Sequence, residues 1–168
     1  MRNMASYTLA PWKVLWPEVG HTVRAGVCGP RPRDVNITAI PDHTIIAVPC
    51  DSGDEAFFVS ALLNSAPAQA AIIGYVVLHP SPHILEHIAI PQFSAANASH
   101  ARLAALAEHC HAEAAGPDTS KVSALERELD RAAAKFWGIS NQQLKAIQNA
   151  LAQIGKGPLV AQDEEEDA

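Results

Sequence analysis

The sequence predicts an α+β fold: short N-terminal strands with a packed helix, followed by a C-terminal antiparallel bundle of about three helices. Three observations carry that reading. Residues 1–50 combine prolines with alternating β-branched and aromatic residues, as in Trp12-Lys-Val14-Leu-Trp16 and Thr44-Ile-Ile-Ala-Val48; period-two alternation suits a half-buried strand. From Ser99 onward the apolar residues step by three and four, which is the period of a helix face. Aromatics are sparse at 5% while alanine fills much of the second half, a balance that favours close-packed helices over a large β-sandwich. At 168 residues and 48% apolar composition the chain has enough material for one sizeable core. It divides into an α+β domain over 1–97, a helical region over 98–155 and a disordered acidic tail over 156–168.

The elements follow in order. Val23-Arg-Ala25-Gly-Val27 is a second alternating segment, and Cys28-Gly-Pro-Arg-Pro-Arg-Asp34 has the composition of an exposed basic loop. Ser52-Gly-Asp-Glu55 has capping-box spacing, so a helix starts there with Phe58, Leu62 and Leu63 on one face. Asn64-Ser-Ala-Pro67 ends or interrupts it, and Ala68 to Val77 is apolar without a distinguishing period. Ser81-Pro82 places a cap before a proline at the first helical position. A short helix through Ile84 and Leu85 follows, then an extended Ile88-Ala-Ile90 closed by Pro91.

Three helical stripes complete the chain. They are Leu103, Leu106 and Cys110; Val122, Leu125, Leu129, Ala132 and Phe136; and Leu144, Ile147, Leu151 and Ile154. Gly116-Pro117 and Gly138 separate them, and Ser140-x-x-Gln143 caps the last. Trp12, Trp16, Phe58, Leu62, Leu63, Phe136 and Trp137 are assigned to the core rather than to base stacking.

Composition narrows the function classes. The N-terminus leads into no signal-peptide stretch, and the longest apolar run, Ala70 to Leu78, is broken by Gly74; a bilayer span takes ~20 residues. Cys28, Cys50 and Cys110 are odd in number and widely spaced, which reads as reduced thiols and a cytoplasmic chain. The net charge is −6, but Asp163 to Asp167 alone contribute five negative charges. Residues 1–50 hold Arg2, Lys13, Arg24, Arg31 and Arg33 against Glu18, Asp34 and Asp42, a net +2. A mildly basic front on a near-neutral body permits phosphate contacts.

Catalytic and metal-binding patterns are not apparent. His79, His83 and His87 are four apart and would share the face of one continuous helix, as metal ligands do. Pro80 and Pro82 oppose that helix. In His109-Cys110-His111 the neighbours point in different directions, and Cys110 falls on the apolar stripe; a thiol and its base need to face one another. No phosphate-cradling glycine motif occurs. No catalytic residue, metal ligand or cofactor site is assigned. Lys13, Arg24, Arg31 and Arg33 are the candidate DNA contacts, with Asn36 and His43 beside them, chosen for charge and loop placement. On charge alone the basic loop reads as a solvated one.

Three stretches taken together change that balance: Pro41-Asp-His-Thr-Ile-Ile-Ala-Val-Pro-Cys50, Glu55-Ala-Phe-Phe-Val-Ser-Ala-Leu-Leu-Asn-Ser65 and Ser81-Pro-His-Ile-Leu-Glu-His-Ile-Ala-Ile-Pro-Gln-Phe93. In order and spacing they resemble the C-terminal, target-recognition part of adenine-specific DNA methyltransferases of restriction–modification systems. Phe136-Trp-Gly-Ile-Ser140 followed by Gln143, Leu144 and Ile147 is similar to the closing helical pair of those proteins. The resemblance spans roughly residues 7–155. The family's (Asn/Asp)-Pro-Pro-(Tyr/Phe) motif and its glycine-rich cofactor motif do not occur. The resemblance therefore implies a non-catalytic specificity module, either a separately encoded subunit or the remnant of a split gene. Its partners would be double-stranded DNA and a catalytic methyltransferase or restriction subunit, with S-adenosylmethionine expected only in the partner chain and no membrane involved. The alternative is a protein-interaction or regulatory module that no longer binds DNA, in which the acidic tail mimics DNA.

Overall fold

In the computed structural model, residues 6–20, 22–30, 39–74 and 82–154 are described. Strand β1 (Trp12–Pro17) lies between β2 (Gly26–Cys28) and β3 (Ile45–Cys50), antiparallel to both. Its alternation turns Val14 and Trp16 into the core, where Cys50 joins them and Ile46 and Val48 pack against them. The register pairs Lys13 with Cys28 and Pro49, and Pro17 with Ile45. The two outer strands thus run parallel to one another. The connection between them leaves at one end of β1 and returns at the other.

The second alternating segment forms a strand only over its last part, Gly26–Cys28. Its alternation still holds upstream, with Val23 and Ala25 buried and Arg24 exposed. The reason is a side chain that replaces a neighbouring strand. The Ala25 N–H donates to Asn64 Oδ1 at 2.9 Å, and Asn64 Nδ2 donates back to the Ala25 carbonyl at 2.7 Å.

Asn64 ends helix α1 (Gly53–Asn64), which begins as the spacing predicts. The Glu55 N–H donates to Ser52 Oγ at 3.2 Å, and Glu55 Oε2 accepts the Asp51 N–H at 2.6 Å. Ser65 then bends the chain by 61° into α2 (Ala66–Ile73), with Pro67 in its first turn. The apolar stretch of undecided type is therefore helical as far as Ile73. Among the described residues, no single helix is long and apolar enough to cross a membrane.

A 3-10 helix over Pro82–His87 occupies the position of the predicted short helix. Ile88-Ala-Ile90, expected to be extended, joins no strand of the described sheet. The Ile90 N–H turns back to the Ile88 carbonyl at 2.8 Å, and the Ala89 carbonyl accepts Trp137 Nε1–H at 3.0 Å. The expected C-terminal helices are α3 (Ala98–Ala114), α4 (Val122–Phe136) and α5 (Asn141–Ile154). Asn97 caps α3, and Ser140 and Gln143 cap α5 reciprocally, at 2.8 and 3.3 Å.

Helix α1 joins both parts of the chain. Its Ala56 and Leu63 belong to the core against the sheet, whereas Phe58, Ala61 and Leu62 pack with Leu103, Leu106 and Leu129 of α3 and α4. The boundary expected at 97/98 is crossed by this second cluster. Helix α3 packs on α1 and on α4, and α5 packs on α2 and on α4. Of the predicted core aromatics, Trp16 and Phe58 are fully buried, while Trp12, Phe136 and Trp137 lie half-buried against the clusters.

Candidate nucleic-acid interface and adjoining groove

The candidate DNA contacts fall in different environments. Lys13 is a correction: it is only 2% exposed, and its Nζ donates to the Ala10 carbonyl. The cation sits on the centre strand of the sheet, where the aliphatic stem is covered and the ammonium is satisfied by backbone, so it presents no charge to a phosphate from there. His43 is exposed on the turn before β3, but its Nδ1 lies 2.6 Å from Asp42 Oδ1. Backbone and side-chain hydrogen bonds from His43 hold the Asp42 carboxyl below its ordinary range. Arg24 is exposed and, among the described residues, has no ion-pair partner. Arg31, Arg33 and Asn36 lie outside the described residues.

Arg24 is held outward by its neighbours. Val23 and Ala25 anchor the segment on either side, and each is tied to the α1–α2 joint. Gln69 Nε2 donates to the Val23 carbonyl at 2.7 Å, while Asn64 clasps Ala25. Ser60 Oγ adds a bond to the Ala25 carbonyl at 3.1 Å. The turn bearing His43 is tied to the end of β1 by the Glu18 N–H, which donates to the Thr44 carbonyl at 2.8 Å. One connection is therefore pinned to α1 and α2 and the other to the sheet, and each carries one of the candidate residues outward.

Beside Arg24 opens a groove of about 750 Å³ between the 22–26 connection and helices α1 to α5. That volume falls in the ~300–1,000 Å³ range of ligand sites. Its floor is largely apolar, with Val23, Ala107, Leu129 and Leu151, and its polar lining divides in two. Asn64, Gln69 and Asp130 are engaged in holding the fold: Asp130 accepts the Ala66 N–H at 2.7 Å and Gln148 Nε2–H at 2.8 Å. Arg24, His111 and Glu126 also line it and are exposed, with the His111 ring edge-on to Phe57 at 5.8 Å.

Nucleophilic chemistry is disfavoured at Cys50 and Cys110. Burial pushes the Cys110 thiol up, with Glu126 adding to the effect. Burial also pushes Cys50 up to about 12, with Glu55 as the next cause. Neither has the electropositive surroundings that stabilise a thiolate. Among the described residues no group of three metal-binding side chains comes together. His83 pairs with Glu86 at 2.9 Å, both exposed, and His79 lies outside the described residues.

Sequence reasoning left two features unassigned. His100 is 5% exposed, stacked on Phe58 at 4.5 Å with Phe136 edge-on at 5.6 Å, and its Nδ1 accepts the Ser94 N–H at 3.1 Å. It locks the Pro91–Asn97 segment to α3. The groove is the other. Its lining comes from elements far apart in the chain, and the one local signal was a polar Asn64 directly after two core leucines. Comparison with known proteins finds no matching family model, no similar curated protein and no similar solved structure.

Proposed function

We propose that the chain is a DNA target-recognition module, without a catalytic centre of its own, that works with an adenine-specific DNA methyltransferase or restriction subunit. The observation that carries this reading is the joint at Leu62-Leu63-Asn64-Ser65. The stretch by which the chain resembles such modules is also the one that fixes Arg24 outward. Leu62 faces the helices, Leu63 faces the sheet, Asn64 clasps the 23–25 connection and Ser65 turns the chain. A cation on a connection braced in this way suits the task of setting register along a duplex, since phosphate contacts position a protein and base contacts specify sequence.

The mechanism follows from the needs of base modification. An adenine inside a duplex is out of reach until it is flipped from the stack, and something else must hold the flanking duplex meanwhile. In this reading Arg24, Arg31 and Arg33 contact phosphates or guanine edges, and Asn36 and His43 assist. Helices α3 to α5 brace the module or meet the catalytic partner, which binds S-adenosylmethionine and performs the transfer. The antiparallel arrangement of the C-terminal helices belongs to the same reading.

A second reading, a protein-interaction module without DNA contact, draws support from the buried Lys13 and the apolar-floored groove. One experiment separates the two: duplex binding by fluorescence anisotropy over a salt series, alongside affinity capture of the tagged chain with and without nuclease. The DNA reading expects affinity that falls with salt, a slope reduced by about one in Arg24→Ala, and a methyltransferase or restriction subunit recovered near stoichiometry. Absence of binding at low salt together with absence of such a subunit would sink it.

A further inference from the structure

His100 is a buried titratable group with no part in the reading above. It is the third residue of α3 and lies among three rings: Phe58 of α1 at 4.5 Å, Phe136 of α4 at 5.6 Å and Phe93 at 6.1 Å. Its Nδ1 accepts the Ser94 N–H at 3.1 Å, so the ring is neutral there and carries its proton on Nε2. Nε2 has no protein partner among the described residues and is not sealed from water. Segment 91–97 is exposed apart from half-buried Phe93. It is held by the His100 bond, by the Asn97 cap on α3 and by Phe93, whose ring covers Phe58 at 5.6 Å.

We propose that His100 is a proton-operated latch, whose protonation releases segment 91–97 and uncovers Phe58 beneath Phe93. The conflict lies at one atom. A second proton on the ring has to go to Nδ1, where the Ser94 N–H already points, and two donors cannot share that position. The ring itself stays, because a cation over the face of Phe58 is attracted. Ser94 is exposed, so its amide turns to water and the segment moves with it. The neutral ring closes the latch and the charged ring opens it. Closure therefore holds at the upper end of the range from about pH 8 to 5, where histidine changes charge, and is lost toward the lower end. The surroundings leave the response to His100 alone. Segment 91–97 holds no titratable residue. The contacts from α1 and α4 are Phe58 and Phe136; Asp54, one turn before Phe58, and Lys135, beside Phe136, are exposed and make no ion pair with the ring. On α3 itself, Arg102 pairs with Glu128 at 3.2 Å.

The test is native-state hydrogen exchange and histidine-ring NMR on the full-length chain across that range, with each exchange rate divided by its free-peptide value at the same pH. As pH falls, the Ser94 amide is expected to lose protection by up to about tenfold per pH unit, the limit set by one proton. Leu103 and Ala107, inside α3, should keep theirs, and the His100 ring should show its proton on Nε2 at the upper end. Two variants sharpen the result. His100→Phe keeps a ring but removes the acceptor, so Ser94 should be unprotected at every pH. His100→Asn supplies an acceptor that does not titrate, so the pH dependence at Ser94 should vanish. The wild-type measurements decide the matter even where a variant fails to fold. Ser94 protection that does not change with pH, or a proton found on Nδ1 at the upper end, overturns the latch. So does a pH-dependent loss that persists in His100→Phe. Equal losses at Ser94 and Leu103 would mean that α3 opens as a whole, and they overturn it as well.

Discussion

Helices α1 and α5 are of similar length but are used differently. Along α1, Ala56, Phe58, Ala61, Leu62 and Leu63 are all fully buried, because the sheet covers one side and α3 and α4 cover the other. Along α5 only Leu144 is buried, Ile147 and Leu151 are half-covered, and Ile154 projects into solvent. The more amphipathic pattern belongs to the less buried helix. A clean apolar stripe marks a helix at the surface, whereas a helix apolar around most of its circumference marks the centre of a fold.

That contrast is broken most severely at Leu62. Leu62→Ala leaves a cavity enclosed by α1, α3 and α4, and a loss of about 3 kcal/mol is expected from burial and cavity terms together. Urea denaturation measures it directly. A loss below about 1 kcal/mol, the scale of an exposed site, would mean that α1 is not the common element of the two clusters. The Asn64 clasp comes next. Asn64→Ala removes both bonds to Ala25, leaving its N–H without that partner and its carbonyl to Ser60 alone, with a cost of about 2 kcal/mol. Amide hydrogen exchange at Ala25 and Arg24 should accelerate far more than exchange within α3. Uniform acceleration throughout the chain would deny Asn64 its local role.

The difference between the helices also explains what was legible in the sequence. Strands β1 and β3, the caps at Ser52 and Ser140 and the three C-terminal helices follow local rules of period and hydrogen-bond supply, so residues within a few positions of one another define them. The strand at 23–27 read as longer than it is because its partner over Ala25 is a side chain 39 positions away. Ile88-Ala-Ile90 has strand composition but no strand beside it; Trp137 takes its carbonyl instead. Lys13 read as a surface cation because sequence alone does not reveal what covers a centre strand. Arg24 was legible as an outward residue between two inward ones. The groove was not, since residues from Thr22 to Leu151 meet there only after folding.

A smaller effect is expected at the covering helix. Leu151→Ala trims a half-buried side chain and should cost about 1 kcal/mol, with the denaturation midpoint moving much less than for Leu62→Ala. Equal shifts in the two variants would place α5 among the central elements and remove the distinction drawn from burial. The same substitution widens the groove, so Cys110 alkylation should rise while the fold stays intact.

The last effect is chemical, is confined to alkaline pH and lies beside α1. Cys50 ends β3 against the core, and burial raises its thiol to about 12 from an ordinary value of 9.0. The sign follows from proton binding. Below pH 9 the thiol is protonated in folded and unfolded chains alike, and Cys50 contributes no pH dependence. Between 9 and about 12 the unfolded chain releases the proton while the folded chain retains it, so stability falls as pH rises through that window. Replacing Cys50 with alanine should flatten the alkaline limb of a stability–pH profile while leaving its neutral plateau only slightly lower. The same burial keeps Cys50 slow to alkylate at pH 8.5, slower than the more accessible Cys28. Mass mapping of both cysteines would decide the point: equal rates in the native chain would mean that the end of β3 opens to solvent and that the sheet side of α1 is less tightly closed than its helical side.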